Sequence, residues 1–138
     1  MTVQSVNTEK RQDSFLRQVL RGNGIFSEVS GLFFIVAAGP IGRFLGADTP
    51  LVYVILGIGL VGYGALLLLA TRRVEVRSVG KTAVALDLLW VIGSYALILS
   101  NIIPFTTAGK WAVGIIAEVV ALFATLQIYG LWRMRHTE

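Results

Sequence analysis

The sequence contains no cysteine and only one histidine, His136. Without cysteine, the chain cannot form a disulfide, a thiolate zinc site or an iron–sulfur cluster. A single histidine also excludes the histidine-rich sites that hold many metal ions and haem groups. We therefore expect neither a metal ion nor a cofactor.

Charged residues are also scarce. They make up 14% of the 138 residues, whereas hydrophobic residues make up 55% and the mean hydropathy is +0.74. Soluble domains carry roughly 25% charged residues, so this chain has too few to cover a surface in water. The composition predicts a membrane protein.

Four long apolar runs have the length that a membrane-crossing helix needs, about 20 residues. They cover residues 24–42, 51–70, 82–103 and 111–132. Each run is apolar on nearly all sides, which is not typical of a helix in a soluble bundle. We predict an all-α, integral membrane four-helix bundle over residues 24–134. A basic N-terminal arm (1–23) precedes it and a short tail (135–138) follows.

The basic arm has a weak amphipathic pattern, since Phe15, Leu16 and Leu20 recur at helical spacing between arginines. Two interpretations fit this pattern. The segment forms a short helix on the inner membrane surface, or it is a basic tail attracted to anionic lipid. If the segment is such a helix, we expect residues 22–24, Gly-Asn-Gly, to form a hinge into the first span.

Lysine and arginine are distributed unequally between the two sides of the predicted bundle. Ten lie in the arm, the link between the second and third spans, and the tail; only Arg43 and Lys110 lie in the other two links. The positive-inside rule then places both termini in the cytoplasm, in a multi-pass protein of the inner (cytoplasmic) membrane. This asymmetry accounts for the net charge of +4, so we expect no nucleic-acid partner. The expected partners are the lipid bilayer and either further copies of the chain or a membrane subunit.

Three acidic residues, Glu28, Asp87 and Glu118, interrupt the apolar runs. A charge at the bilayer centre costs about 2.5–3.5 kcal/mol on insertion scales, so each should face protein or water. Helical geometry places Glu28 and Asp87 at a similar depth, as possible neighbours, and Glu118 in a separate layer. Polar residues share the faces of Asp87 and Glu118. The resulting candidates for proton binding, cation binding or a ligand pocket are Asp87, Glu118, Glu28, Trp90, Ser94, Asn101 and Thr125.

Glycines line one face of each of the first two spans. Small residues let two membrane helices approach closely, so we predict that these glycines lie at helix contacts. The set is Gly24, Gly31, Gly39, Gly57 and Gly64.

The sequence leaves three functions open. The first is an oligomeric, proton- or cation-coupled transport or channel-like protein that uses the intramembrane carboxylates. The second is a membrane-embedded enzyme or a binder of a quinone, isoprenoid or lipid. An enzyme is the less favoured form of this alternative, because no nucleophile–base pair is visible. The third is an accessory subunit of a larger membrane complex.

Overall fold

The computed structural model describes the backbone of residues 3–72 and 75–136 and the side chains of residues 14–72 and 75–134. These residues form five helices and no strand. The helices are α1 (Val3–Val36), α2 (Ala38–Leu45), α3 (Pro50–Ala70), α4 (Arg77–Ser100) and α5 (Thr107–His136). Four segments are long and apolar enough to cross a membrane: Ser14–Val36, Pro50–Ala70, Arg77–Ser100 and Thr107–Met134. The predicted all-α, four-span fold is therefore confirmed.

The first span begins earlier than the sequence pattern predicted. Helix α1 continues without interruption through residues 22–24, so the predicted hinge is wrong. Leu16 and Leu20 are 0% exposed and pack inside the bundle. This segment is therefore part of the first span rather than a helix on the membrane surface. Burial of its leucines explains the difference, because a bundle interior removes their apolar surface from contact with water more completely than an interface does.

The first span also ends earlier, at Val36, because of Pro40. Proline has no backbone N–H, and its ring clashes with the carbonyl of the residue four positions before it. The chain bends at Ala37 (φ −107°) and continues as the short helix α2. Gly46 ends α2 with φ 84°, a left-handed conformation that glycine adopts without steric cost. Residues 24–42 are thus divided between two helices.

The helices form two closely packed pairs. Helix α1 runs along α3, α4 runs along α5, and contacts between α1 and α5 join the pairs. Helix α4 touches α1 and α3 only locally. The two pairs are therefore held together chiefly by α1 and α5.

Glycine brings α1 and α3 together. A Cβ atom added to Gly57 would lie 2.6 Å from the carbonyl oxygen of Gly31, and one added to Gly64 would lie 2.6 Å from that of Gly24. No side chain fits at these distances, so the backbones are in direct contact. Gly39 does not belong to this set, contrary to the prediction. It lies on α2, beyond the bend at Ala37, and an added Cβ would meet only the Arg43 side chain, at 3.5 Å.

Two apolar layers close the bundle, one near each end. We call the end that carries Arg17, Arg77 and Arg133 the basic end. The layer nearer to it contains Leu16, Leu20, Leu67, Val76 and Ala83. The layer near the opposite end contains Ala38, Ile41, Leu45 and Tyr53. The buried polar cluster described below lies between these layers.

The link between α4 and α5 is attached to α2 at the opposite end. The backbone N–H of Thr106 donates to the carbonyl of Leu45 (2.9 Å), and its hydroxyl donates to the carbonyl of Phe44 (2.8 Å). The same hydroxyl accepts the N–H of Gly109 (2.9 Å) and so caps the start of α5. These bonds fix α5 relative to the first half of the chain.

Candidate functional site

Asp87 lies at the centre of a polar cluster to which every spanning helix contributes. Its side chain, on α4, is only 4% exposed. The amide nitrogens of Asn23 on α1 and Gln127 on α5 donate to its Oδ2 atom, at 2.8 and 3.0 Å. The hydroxyl of Tyr63 on α3 donates to its Oδ1 atom at 3.0 Å. Three uncharged donors from three other helices thus converge on one carboxyl group.

Further bonds connect these donors to one another. Asn23 also donates to the Oε1 atom of Gln127 (2.8 Å), and the Ser27 hydroxyl donates to the Oδ1 atom of Asn23 (3.4 Å). Asn23, Ser27 and Gln127 are all buried. Buried polar groups must be hydrogen-bonded to avoid a desolvation penalty, and this arrangement meets that requirement. We call Asn23, Ser27, Tyr63, Asp87 and Gln127 the Asp87 network.

The network occupies one level of the bundle. Asp87 lies ten residues after the start of α4, and Gln127 lies seven residues before the end of the fourth span. At 1.5 Å per residue, these positions are roughly 15 and 10 Å from the basic end. Asp87 is therefore deeper than the sequence indicated, because α4 begins at Arg77 rather than near residue 82.

Opposing forces act on the Asp87 carboxyl group. Hydrogen-bond donors stabilise its charged form, whereas a low-dielectric environment disfavours that form. No lysine or arginine among the described residues forms an ion pair with Asp87. The structure therefore provides donors for a carboxylate but no fixed counter-charge, and proton uptake is the simplest way to remove the charge.

Glu28 does not lie beside Asp87 in the way that the depth argument predicted. Its side chain is half-buried on the face of α1 that packs on α3. A Cβ added to Gly64 would lie 3.0 Å from the Oε1 atom of Glu28. Glu28 forms no hydrogen bond or ion pair with another described residue. Helix depth was an insufficient guide here, because the rotation of α1 directs Asn23, rather than Glu28, at Asp87.

Two other residues predicted on the Asp87 stripe do not join the network. The Nε1 atom of Trp90 is buried and has no hydrogen-bond partner among the described residues, so this indole does not donate to Asp87. The Ser94 hydroxyl donates to the carbonyl of Trp90, in its own helix, at 2.8 Å. Ser94, a predicted site residue, therefore donates its hydroxyl within α4 rather than to Asp87.

Glu118 lies in a different part of the molecule. It is exposed on α5, where it accepts a hydrogen bond from the hydroxyl of Tyr95 on α4. Nine residues separate it from Gln127, which corresponds to roughly 13 Å along the helix. The intramembrane acids thus occupy separate environments rather than lining one shared polar interior.

Asn101 and Thr125 lie outside the network as well. Asn101 ends α4 in a left-handed conformation (φ 56°) and accepts a hydrogen bond from Lys110 at 3.0 Å. Thr125 is exposed, and its hydroxyl donates to the carbonyl of Ala121 (2.8 Å) within α5. Asn101 is at a helix end and Thr125 points away from the bundle, so neither reaches Asp87.

The sequence analysis missed four members of the network. Asn23 was assigned to a hinge, and Ser27, Tyr63 and Gln127 were not among the predicted site residues, because the prediction started from charged residues. A usable signal was present in Gln127, an amide inside the fourth apolar run. Polar amides within membrane helices commonly form hydrogen bonds between helices. Counting residues from the basic end would then have placed Asn23 and Tyr63 near the same level.

Comparison of the chain with protein-family models, with curated proteins and with solved structures finds no match. The function of the chain is therefore inferred from the geometry of the site. That geometry joins one carboxyl group to donors on all the other spanning helices. A change in the charge of Asp87 would alter bonds to each of those helices at once.

Proposed function

We propose that this small multi-pass membrane protein takes up and releases a proton at Asp87 as part of proton-coupled transport. The observation that supports the proposal best is the convergence of Asn23, Tyr63 and Gln127 on one buried carboxyl group. Ionisable residues within membrane spans commonly mark ion or proton pathways. A network that links every spanning helix is also suited to convert protonation into movement.

The chemistry of the network favours a proton over a metal cation. Hard cations require several oxygen ligands. In this network, nitrogen and hydroxyl donors face the carboxylate. The side-chain oxygens of Asn23 and Gln127 already accept hydrogen bonds from Ser27 and Asn23. A metal ion would need both amides to turn around, whereas a proton needs only the loss of one donated bond.

Protonation would loosen the link between the two helix pairs. A neutral carboxyl group accepts weaker hydrogen bonds than a carboxylate. Asp87 belongs to the α4–α5 pair, while Asn23 and Tyr63 belong to the α1–α3 pair. The local contact between α4 and the α1–α3 pair permits a relative shift. Such a shift would open one of the two apolar layers and give Asp87 access to water.

We further propose that the protein acts as a homo-oligomer in the inner membrane, with both termini in the cytoplasm. Four short spans do not by themselves enclose a wide pathway, which favours an assembly. The orientation is supported by the basic end, because positively charged residues concentrate on the cytoplasmic side. Cross-linking in native membranes and labelling of single introduced cysteines would test these two statements separately.

Infrared difference spectroscopy tests proton binding without knowledge of the transported substrate. On acidification of the reconstituted protein, we expect the carbonyl-stretch band of a protonated, buried carboxylic acid to appear. Asp87→Asn should abolish this band, and Asp87→Glu should retain it at a shifted frequency. Glu28→Gln is the matched control, because Glu28 is an intramembrane acid outside the network. An unchanged band in Asp87→Asn would refute the proposal.

A flux measurement then tests the transport step. Proteoliposomes with an imposed pH gradient and an internal pH-sensitive dye should show protein-dependent proton movement. We expect Asp87→Asn to lose at least about 90% of this proton flux. A tenfold loss of rate corresponds to an increase of about 1.4 kcal/mol in the activation free energy. If the parent protein moves protons, equal protein-dependent flux in Asp87→Asn would contradict a role of Asp87 in transport, even if the infrared band were lost.

A further inference from the structure

A groove of about 650 Å³ lies on the outer surface of the α4–α5 pair. Apolar side chains form most of its walls, and Glu118 and Tyr95 supply a hydrogen-bonded polar pair inside it. Trp111 and Lys110 lie nearer the end opposite the basic end. The volume falls within the range of about 300–1,000 Å³ that is typical of small-molecule sites.

Glu118 has no positive partner in this groove. Its hydrogen-bond partner is the uncharged hydroxyl of Tyr95. Lys110 also lines the groove, but its Nζ atom bonds to Asn101. Lys110 is eight residues from Glu118, or roughly 12 Å along α5. An exposed carboxylate at this depth in a membrane is costly, so a cation brought from outside the chain would stabilise it.

We propose that the groove binds a lipophilic ammonium compound, with its cationic nitrogen beside Glu118 and its apolar part along the groove walls. Charge complementarity selects the cation, and the apolar walls select the lipophilic body. Trp111, about two helical turns from Glu118, adds aromatic apolar surface to the groove wall on which the lipophilic part can pack. The inference depends on the groove alone and not on proton binding at Asp87, so either proposal can fail without the other.

A second copy of the chain is a less suitable occupant. The described lysines and arginines lie towards the ends of the spans, so a second copy could not present one at the depth of Glu118. An uncharged lipid chain would fill the apolar walls but would leave the carboxylate without a counter-charge. The lipophilic cation is the occupant that meets both requirements.

Binding of two matched probes to the protein in phosphatidylcholine nanodiscs tests the proposal. One probe is radiolabelled dodecyltrimethylammonium, and the other is its uncharged isostere in which carbon replaces the nitrogen. Empty nanodiscs correct for partition into lipid. Glu118→Gln should weaken binding of the ammonium probe by roughly tenfold or more, as expected for loss of a charged contact. It should leave binding of the uncharged isostere unchanged.

Glu28→Gln is the control for removing a membrane acid elsewhere, and it should bind the ammonium probe like the parent protein. The proposal is overturned if both probes bind the parent protein equally well. It is also overturned if Glu118→Gln binds the ammonium probe as tightly as the parent protein does. A monodisperse elution profile identifies variants that are folded.

A steric test needs no change of charge. An added Cβ meets nothing within 4 Å at Gly114, which lines the groove, or at Gly93, which does not. Gly114→Leu should fill the groove and lower binding of the ammonium probe by about tenfold or more, while Gly93→Leu should leave it unchanged. Equal binding to these two variants would show that the probe binds elsewhere and would also overturn the proposal.

Discussion

Asp87 and Glu118 are both carboxylic acids in apolar helices, but their surroundings are opposite. Asp87 is enclosed and receives hydrogen bonds from three other helices, whereas Glu118 is exposed and bonds to one tyrosine. The first site is complete within the chain, and the second lacks a partner for its charge. The comparison shows that an acid in a membrane span has no fixed meaning until its neighbours on other helices are known.

Removal of one donor at Asp87 should have the largest effect on stability. Gln127→Leu eliminates the bond to Asp87 and the acceptor for Asn23 in a side chain that is 0% exposed. We expect the free energy of unfolding to fall by about 3 kcal/mol, because two buried polar side chains, those of Asp87 and Asn23, each lose a hydrogen-bond partner. Unfolding by dodecyl sulfate in mixed micelles measures this change.

Thr125→Leu is the matched control for Gln127→Leu. It lies two residues away on the same helix but is exposed, so its effect should stay within about 0.5 kcal/mol. Equal destabilisation by the two substitutions would mean that the Asp87 network contributes no special stability.

Removal of the charge at Glu118 should change the free energy of unfolding in the opposite direction and increase it. Glu118→Leu removes a carboxylate from a membrane span, where a charge is costly, and an exposed hydrogen bond that contributes little to stability. Because the helix stays in the micelle when the protein unfolds, only part of this cost enters the free energy of unfolding, and we expect a small gain of stability in the same unfolding assay without added ligand. A loss of stability in Glu118→Leu would show that the Tyr95 contact is structural and would weaken the contrast with Asp87.

The tyrosines that bond to the two acids, Tyr63 and Tyr95, allow the same substitution to be compared at both sites, with smaller expected changes in stability than Gln127→Leu causes. Tyr63→Phe should cost about 1.5–3 kcal/mol if Asp87 is charged, and about 1 kcal/mol if it is protonated, since bonds to charged groups are stronger. Tyr95→Phe should leave stability almost unchanged, because its hydrogen bond to Glu118 is exposed. Repeating both measurements at several pH values would sharpen the comparison, since only Tyr63→Phe should vary with the charge of Asp87.

Glu75, in the link before α4, supplies a reference carboxylate outside the spans. Burial acts to raise its pKa, but hydrogen bonds from Ser78 and from the backbone N–H of Arg77 outweigh this effect and place the pKa below 4.5. Because the folded-state pKa is lowered, its contribution to stability is present above the unfolded-state pKa. That contribution is lost as the pH falls through the folded-state value.

Glu75→Gln should therefore destabilise the protein by a few tenths of a kcal/mol near neutral pH, the usual size of a charge effect at an exposed helix start. The difference should disappear in acid, below the pKa of Glu75. Parallel unfolding curves at neutral and acidic pH measure it. A difference that stays constant across this range would assign the effect to geometry rather than to charge.

Composition and apolar runs predicted the four spans correctly, because burial of long apolar helices in a bilayer is a local property of each segment. The start and end of the first span were harder to predict from the sequence. Packing of Leu16 and Leu20 extends it towards the N-terminus, and the bend before Pro40 ends it at Val36. The effect of Pro40 was readable from the sequence, but the burial of those leucines was not.

The sequence by itself determined that the protein is an all-α membrane protein with three acids inside its spans. Only the tertiary structure decided that Asp87 meets Asn23, Tyr63 and Gln127, that Glu28 lies against Gly64, and that Glu118 faces outward. Helical periodicity fixes which residues share a face along one helix. It does not fix the rotation of one helix relative to another, which depends on the packing of all of them together.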